Sequence, residues 1–386
     1  MVDQQIERKL DPLTPAGSSH RRRRSIPIRS LAKPLILFAV SRVVSLAAIG
    51  VGMLFTPGGT LVKQFRIWDG AWYINIATNG YTHHIPPGTG NPAQANVAFF
   101  PLFPILMRAV HTVTRLGLER SGAIVVFVFG AGAAVGFWLL VRRLRDEGTA
   151  DRAVALFVFF PGTLVFSLLY AESVAICFAI FCCLFILEER WVLAGLCGAL
   201  ATAARPNAAG VVVAAAVAAL LAYRERRSLR PFMAVLLAPL GAIGFFLFLW
   251  QWTGSWRSWI DVQRRGWHDR FVWDQSWIDI RQWLHHPGQD VWRTILVLST
   301  VFGVIAVVLL FRTAMPIWLK IYALVALAFT MTSLGTRPRF LVMAFPIFIG
   351  LADRARNTSL TVVVGGFAGL LMIYLVIMST PFFPFP

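Results

Sequence analysis

Five charged side chains stand at the ends of long apolar runs, and their types are those of phosphate-ester chemistry. Asp69 lies in Trp68-Asp69-Gly70, Glu172 in Tyr170-Ala171-Glu172-Ser173, and Arg205 in Ala204-Arg205-Pro206-Asn207; Arg337 and Arg339 share Arg337-Pro338-Arg339-Phe340. A carboxylate so placed can accept a proton from an attacking hydroxyl while a sugar leaves its phosphate. Guanidinium forks bind phosphate oxygens and neutralise a leaving group. Asp69 and Glu172 are therefore the candidate catalytic residues, and Arg205, Arg337 and Arg339 the candidate phosphate-binding residues. Trp68, Trp72, Tyr73, Tyr170 and Asn207 flank them and are candidates for substrate positioning. Each charge also has a plain structural reading. Asp69 could cap a short amphipathic helix that closes near Asn79-Gly80, Glu172 could sit at a helix N-terminus for the macrodipole, and each Arg could snorkel to an interface.

The elements that must position these residues are membrane helices. Of 386 residues, 57% are hydrophobic and only 14% charged, with a mean hydropathy of +0.67. No soluble domain needs so much apolar surface. The expected class is an all-α polytopic membrane protein with about eleven spans, at 34–55, 121–141, 152–169, 171–188, 191–204, 207–223, 231–251, 293–311, 315–333, 339–352 and 359–379. The pair around Arg205 could instead form one long broken helix. Residues 97–118 are apolar enough to span but hold Pro101, Pro104, Arg108, His111 and Arg115, and are placed as a juxtamembrane or re-entrant segment. Cys177, Cys182, Cys183 and Cys197 all lie inside apolar runs and read as core.

Charge fixes the orientation. The formal net charge of +18 is carried by short Arg clusters between apolar runs rather than along one soluble face, which argues against nucleic acid. With Arg21 to Arg24 in a cytoplasmic tail, residues 1–33, the basic loops at 142–152, Arg190, 224–230 and 354–356 fall on the same side. A single transmembrane domain, 34–380, then carries two long outer loops, 56–120 and 252–292. The second is crowded with tryptophan and should hold interfacial helices. All five charged landmarks fall on the outer side. Membrane-embedded charge is costly without a use, so that convergence marks a functional site. His83, His84, His111 and His268 lack metal-ligand spacing, and no metal or cofactor is expected.

Several blocks resemble PIG-V-type mannosyltransferases. Arg66-Ile67-Trp68-Asp69-Gly70-Ala71-Trp72-Tyr73, with Ile76-Ala77 and Gly80-Tyr81, is similar to the family's Trp-Asp and Ile-Ala-x-x-Gly-Tyr signature. Phe99-Phe100-Pro101-Leu102-Phe103-Pro104, Tyr170-Ala171-Glu172-Ser173, Ala203-Ala204-Arg205-Pro206-Asn207 and Pro338-Arg339-Phe340 follow in family order. The resemblance implies a GT-C fold, a polyprenyl-phosphate-mannose donor, inversion at the anomeric carbon and catalysis without a metal. It also implies Asp69 as the catalytic carboxylate and Arg205 and Arg339 as donor contacts. Gly70 stands where the family usually has Ala, Trp72 at a position often His, and Pro206 in place of Ser. Cationic charge is mostly Arg, with only Lys9, Lys33, Lys63 and Lys320, a bias that points to a GC-rich bacterial genome. The expected acceptor is a lipid-linked glycan, a cell-wall polymer or a secreted protein, and the expected location is the bacterial cell membrane with its active site outward. A glycolipid transporter or flippase would need similar arginines, and a non-catalytic subunit of a glycosylation complex would use Asp69 only as a cap.

Overall fold

A computed structural model describes residues 28–55, 66–90, 93–267, 269, 274–332, 336–355 and 357–378. The basic block at Arg21 to Arg24 lies outside the described residues. Among the described residues six helices are long and apolar enough to cross a membrane: Arg29–Leu54, Leu118–Leu144, Pro206–Arg226, Phe232–Thr253, Val291–Phe311 and Ser359–Ile377. Three other expected spans appear as shorter apolar helices, Glu172–Leu187, Trp191–Ala204 and Ile317–Met331. The remaining two expected spans, 152–169 and 339–352, are broken. Glu147–Phe159 gives way to a 3-10 turn at Pro161–Phe166, and Pro338–Leu341 continues through Val342–Ala344 into Ile347–Ala352. Residues 97–118 hold a 13-residue helix, Leu102–Thr114. At 1.5 Å per residue it is about 20 Å long, short of the ~30 Å hydrocarbon core.

Ion pairs show which helix ends lie together. We label Ala32–Leu54 α1, Asp69–Asn79 α2, Leu102–Thr114 α3, Leu118–Leu144 α4, Glu147–Phe159 α5, Glu172–Leu187 α6, Trp191–Ala204 α7 and Gly210–Arg226 α8. Where α4 ends, Arg143 meets Glu188 at 2.9 Å and Arg145 meets Asp353 at 3.1 Å. Lys33, at the start of α1, reaches Asp151 on α5 at 2.8 Å. Arg226 at the end of α8 pairs with Glu189 just before α7, so these two helices form a hairpin turned at Arg205 rather than one broken helix. Arg66 and Glu119 pair at the other end of α4. The 27 residues of α4 separate the two rims by about 40 Å.

The remaining helices are α9, Phe232–Leu237, α10, Leu240–Thr253, α11, Ser258–Gly266, α12, Gln275–His285, α13, Val291–Phe311, and α14, Ile317–Thr332; α15, Pro338–Leu341, α16, Ile347–Ala352, and α17, Asn357–Met378, complete the order. Small residues let the backbones close up, as membrane helices require. A Cβ on Gly241 of α10 would lie 1.9 Å from the Ala199 carbonyl oxygen on α7.

The break after α5 carries a cost that Arg42 offsets. Pro161 ends the helical ladder and frees carbonyls inside the bundle. Arg42, buried in α1, donates to the Val158 and Thr163 carbonyls at 3.1 and 2.8 Å and to Ser167 Oγ at 2.8 Å. Sequence reading had passed over this residue within the 34–55 span.

At the Asp69 rim the two long loops are joined into one cap. Trp252 Nε1 donates to the Tyr81 carbonyl at 3.1 Å, Gly90 N to the Arg265 carbonyl at 2.8 Å, and Trp259 Nε1 to the Ala98 carbonyl at 3.0 Å. Asn96 fastens the end of α2 by donating to Asn75 Oδ1 and the Gly80 carbonyl, both at 2.9 Å.

Candidate active site

Asp69 opens α2 but does not cap it. The N-cap residue is Trp68, held at φ 49° and ψ −114°, and its side chain makes no capping hydrogen bond. A bulky residue at positive φ is strained, and strain of this kind concentrates at functional sites. The Asp69 carboxylate is instead turned to two arginines. Its Oδ2 accepts from Arg339 Nη1 at 3.1 Å and lies 3.6 Å from Arg205 Nη1.

Arg205 and Arg339 reach this point because breaks in the chain release them from helices. Arg205 is the extended C-cap of α7, with Pro206 ending the helix behind it. Arg339 sits in the short α15, whose start at Pro338 packs so closely on Gly162 that a Cβ there would stand 2.1 Å from the Pro338 carbonyl oxygen. Behind the arginines stands the Tyr170-Ala171-Glu172-Ser173 block. Glu172 is 1% exposed and sits 2.7 Å from Arg205 Nη1. That contact is an ion pair by distance, while its angle falls outside hydrogen-bond geometry. The Arg339 guanidinium lies over the Tyr170 ring at 5.2 Å and the Phe340 ring at 4.9 Å. Two carboxylates thus balance two guanidiniums, an arrangement that removing one partner would leave with a buried, uncompensated charge.

A cavity of about 100 Å³ opens beside this cluster. Asp69, Tyr73, Arg205, Asn207 and Arg339 line it, so five of the residues singled out in the sequence converge. Arg205 Nε, Arg339 Nε and Asn207 Oδ1 are buried and have no hydrogen-bond partner among the described residues, which leaves polar valence open beside the cavity. Glu172 and Tyr170 are not in the lining; they support the arginines from behind. Trp72 stacks on Phe99 at 5.7 Å, and Arg337 lies over Trp292 at 5.3 Å; neither forms part of the cavity wall, nor does Trp68.

Sequence reading missed part of the wall. Trp259, Gln263, Trp267 and Asp269 line it together with Phe329. The tryptophans of this loop had been read as headgroup anchors, and for Trp256 and Trp277, 60% and 58% exposed, that reading fits. Trp259 is 8% exposed and turned inward. The signal was available in the spacing, since Trp259, Gln263 and Trp267 recur at i, i+4 and i+8 and so share one helical face.

No family model matches the chain. A stretch of 122 residues is 30% identical to GPI mannosyltransferase 2 of Drosophila pseudoobscura pseudoobscura, covering 29% of this chain and 25% of that protein. Over 120 residues it is 26% identical to GPI mannosyltransferase 2 of Drosophila melanogaster, covering 28% and 24%. The chain therefore spans about a quarter of the length of the curated relatives it matches. Among solved structures, ArnT from Cupriavidus metallidurans bound to undecaprenyl phosphate aligns over 86% of this chain and 62% of its own, with a TM-score of 0.53 at 13% identity. Its apo state gives 0.52 at 14% identity, over 86% and 61%. The chain has the GT-C fold. The PIG-V-type resemblance carried by the motifs is borne out alongside it. In this GT-C frame the charged cluster occupies the rim where α6 and α8 begin and α7 ends, capped by the joined loops.

Proposed function

We propose that the chain is a membrane glycosyltransferase that moves mannose from a polyprenyl-phosphate donor to an acceptor hydroxyl. The observation that carries this reading is the meeting of Asp69, Arg205 and Arg339 on one small cavity at a bundle rim. The names of the sequence relatives support the sugar, and the undecaprenyl phosphate bound to ArnT supports the carrier class.

The step follows from the geometry. The acceptor hydroxyl oxygen attacks the anomeric carbon from the face opposite the phosphate, and the carbon–oxygen bond to phosphate breaks with its electron pair passing to the phosphate oxygen. The attacking hydroxyl loses its proton to Asp69. Because Oδ2 is held by both guanidiniums, Oδ1 is the oxygen that takes it. Arg205 and Arg339 neutralise the charge that grows on the departing polyprenyl phosphate. One attack and one departure on opposite faces invert the anomeric carbon.

The acceptor is a lipid-linked glycan, an envelope polymer or a secreted protein, reached from the non-cytoplasmic side of a membrane that the Arg-rich composition suggests is bacterial. The test is to incubate purified protein with polyprenyl-phosphate mannose and membrane extract and to identify the mannosylated product by mass spectrometry. Failure to release polyprenyl phosphate from the donor under any acceptor condition would overturn the reading.

A further inference from the structure

The cavity has two unlike parts. One is the charged cluster of Asp69, Arg205 and Arg339, which accounts for an acid–base group and a phosphate site. The other comes from α11 and the turn after it: Trp259, Gln263, Trp267 and Asp269. Nothing in the phosphate chemistry requires these four residues.

Their construction is that of a fixed binding surface. The Asp269 amide donates to the Gln263 carbonyl at 3.1 Å, closing the turn. Gly266, in the same turn, approaches residues 93 and 94 so closely that a Cβ would stand 3.0 Å from the Ala93 carbonyl oxygen, and Gln94 Nε2 donates to the Gly266 carbonyl at 3.3 Å. Trp259 spends its indole N–H on the Ala98 carbonyl, which orients its ring. Trp267 is held edge-on against Trp72 and Phe99, each at 5.7 Å. The Gln263 carboxamide, in contrast, engages no partner among the described residues although it lines the cavity. Asp269 is buried, at 4% exposure, and brings a carboxylate to the same wall.

Indole faces beside an amide and a carboxylate are suited to a molecule with apolar C–H faces and a rim of hydroxyls, that is, a pyranose ring. The cavity volume of about 100 Å³ is below the roughly 300–1,000 Å³ of sites for drug-sized ligands, and so suits a single ring rather than an oligosaccharide. With the ester phosphate on the arginines, the ring, joined to it through a single bridging oxygen, must lie beside them and inside the same cavity.

We propose that Gln263 and Asp269 bind hydroxyls of the donor's sugar ring, with Trp267 as a stacking face, so that this turn sets which hexose is transferred. The inference rests on the transferase reading for its substrate. A site built to hydrogen-bond a hydroxyl discriminates against an epimer that misplaces it, because the hydrogen bond between sugar and protein is then lost.

The test compares the wild-type protein with Gln263→Ala and Asp269→Asn, all in lipid nanodiscs. Three ligands are titrated by calorimetry: polyprenyl phosphate without sugar, polyprenyl-phosphate mannose and its glucose epimer. Wild type should bind the mannosyl lipid more tightly than the glucosyl lipid, and each variant should lose roughly ten- to a hundred-fold in mannosyl-lipid affinity while binding sugar-free polyprenyl phosphate unchanged. Transfer assays with both donors should show the same collapse of selectivity in kcat/KM. Variants that keep the wild-type preference between epimers would overturn the proposal, as would an equal loss for the sugar-free lipid, which would make the turn merely structural. A wild type that discriminates between epimers in binding yet never turns over would instead sink the transferase reading and leave the sugar subsite standing. A misfolded variant is recognised by its loss of cooperative thermal unfolding, and Gln263→Glu, which keeps the size but exchanges the amide donors for an acceptor-only carboxylate, then replaces Gln263→Ala in the same comparison.

Discussion

At the scale of single residues, Asp69 is separated from a structural cap by where its oxygens go. A cap would spend them on backbone N–H groups of α2, but Oδ2 is spent on Arg339 and Arg205. Asp69→Asn keeps a similar shape and an acceptor oxygen but cannot take a proton. Loss of positioned acid–base help commonly costs on the order of 10² to 10⁴ in rate, or about 3 to 5 kcal/mol. The same change leaves two guanidiniums facing Glu172 alone, so an anionic donor should bind at least as tightly as before. We therefore expect Asp69→Asn to abolish transfer without weakening donor binding, measured as initial rate beside polyprenyl-phosphate affinity; wild-type rates would return Asp69 to a structural role. Arg339 makes a complementary prediction. Its guanidinium lies over both the Tyr170 and Phe340 rings and reaches Asp69 from there. A lysine in its place keeps the charge but loses the delocalised cation over the rings and the fork. Arg339→Lys should raise the donor KM by about ten-fold or more, and steady-state kinetics over a donor series would show it.

At the scale of elements, the site depends on helices that stop in the middle of the bundle. Gly162 is where one such stop touches another, since a Cβ there would meet the Pro338 carbonyl oxygen at 2.1 Å. Overpacking of this kind costs about 1–3 kcal/mol and moves backbone, and the backbone that would move carries Arg339. Gly162→Ala should therefore lower both thermal stability and donor affinity, whereas Gly366→Ala on α17, with nothing within 4 Å, should lower neither. Thermal unfolding in detergent and donor titration measure the two effects. The cap also contains an element under electrostatic load. Asp279 on α12 is buried, its Oδ2 has no hydrogen-bond partner, and burial pushes its carboxyl above the ordinary value of 3.8, against the pull of Gln275 and Arg293. A raised folded-state pKa means that the folded protein holds this proton more tightly than the unfolded chain. The stabilisation is then complete below the ordinary carboxylate pKa and is lost as pH rises through the folded value. Asp279→Asn should raise the melting temperature at neutral pH, and the difference should vanish in acid, where the wild-type carboxyl is also neutral. An equal shift at every pH would attribute the effect to packing instead. These elements also show what the sequence made legible. Asp69, Arg205 and Arg339 stood out because charge at the end of an apolar run is rare and costly. Arg42 carries the same signal in mid-run, but its purpose lies in carbonyls freed by Pro161 more than a hundred positions away. The inward turn of Trp259 and Trp267 was hidden for a related reason: Trp is favoured both at a headgroup surface and in a cavity wall, and only the pairing of the two loops decides between them.

At the scale of the whole molecule, the two rims differ in how their charge is used. Around Asp69 the charges face one another, with Asp69 and Glu172 set against Arg205 and Arg339. At the far rim the loops carry excess cation, as in Arg224, Arg226, Arg227 and Arg230 against Glu225. Surface ion pairs such as Arg226–Glu189 contribute little to stability, typically about 0.2–1 kcal/mol, so this excess has no large structural return. Its value is topological, because short loops rich in Lys and Arg are retained on the cytoplasmic side. If so, the Asp69 rim faces away from the cytoplasm, and a donor carried there must present its phosphate at the non-cytoplasmic headgroup level. Two exposed positions separate the alternatives: His84, in the cap, and Glu225, in the last turn of α8 among the basic residues. The native cysteines interfere little, since Cys177, Cys182 and Cys183 are buried and Cys197 is half-buried on α7. His84→Cys should react with a membrane-impermeant maleimide in intact cells, and Glu225→Cys should react only after lysis. The opposite pattern would place the cavity in the cytoplasm, where the acceptor would no longer be an external glycan or secreted protein and the donor would have to be presented from the inner leaflet.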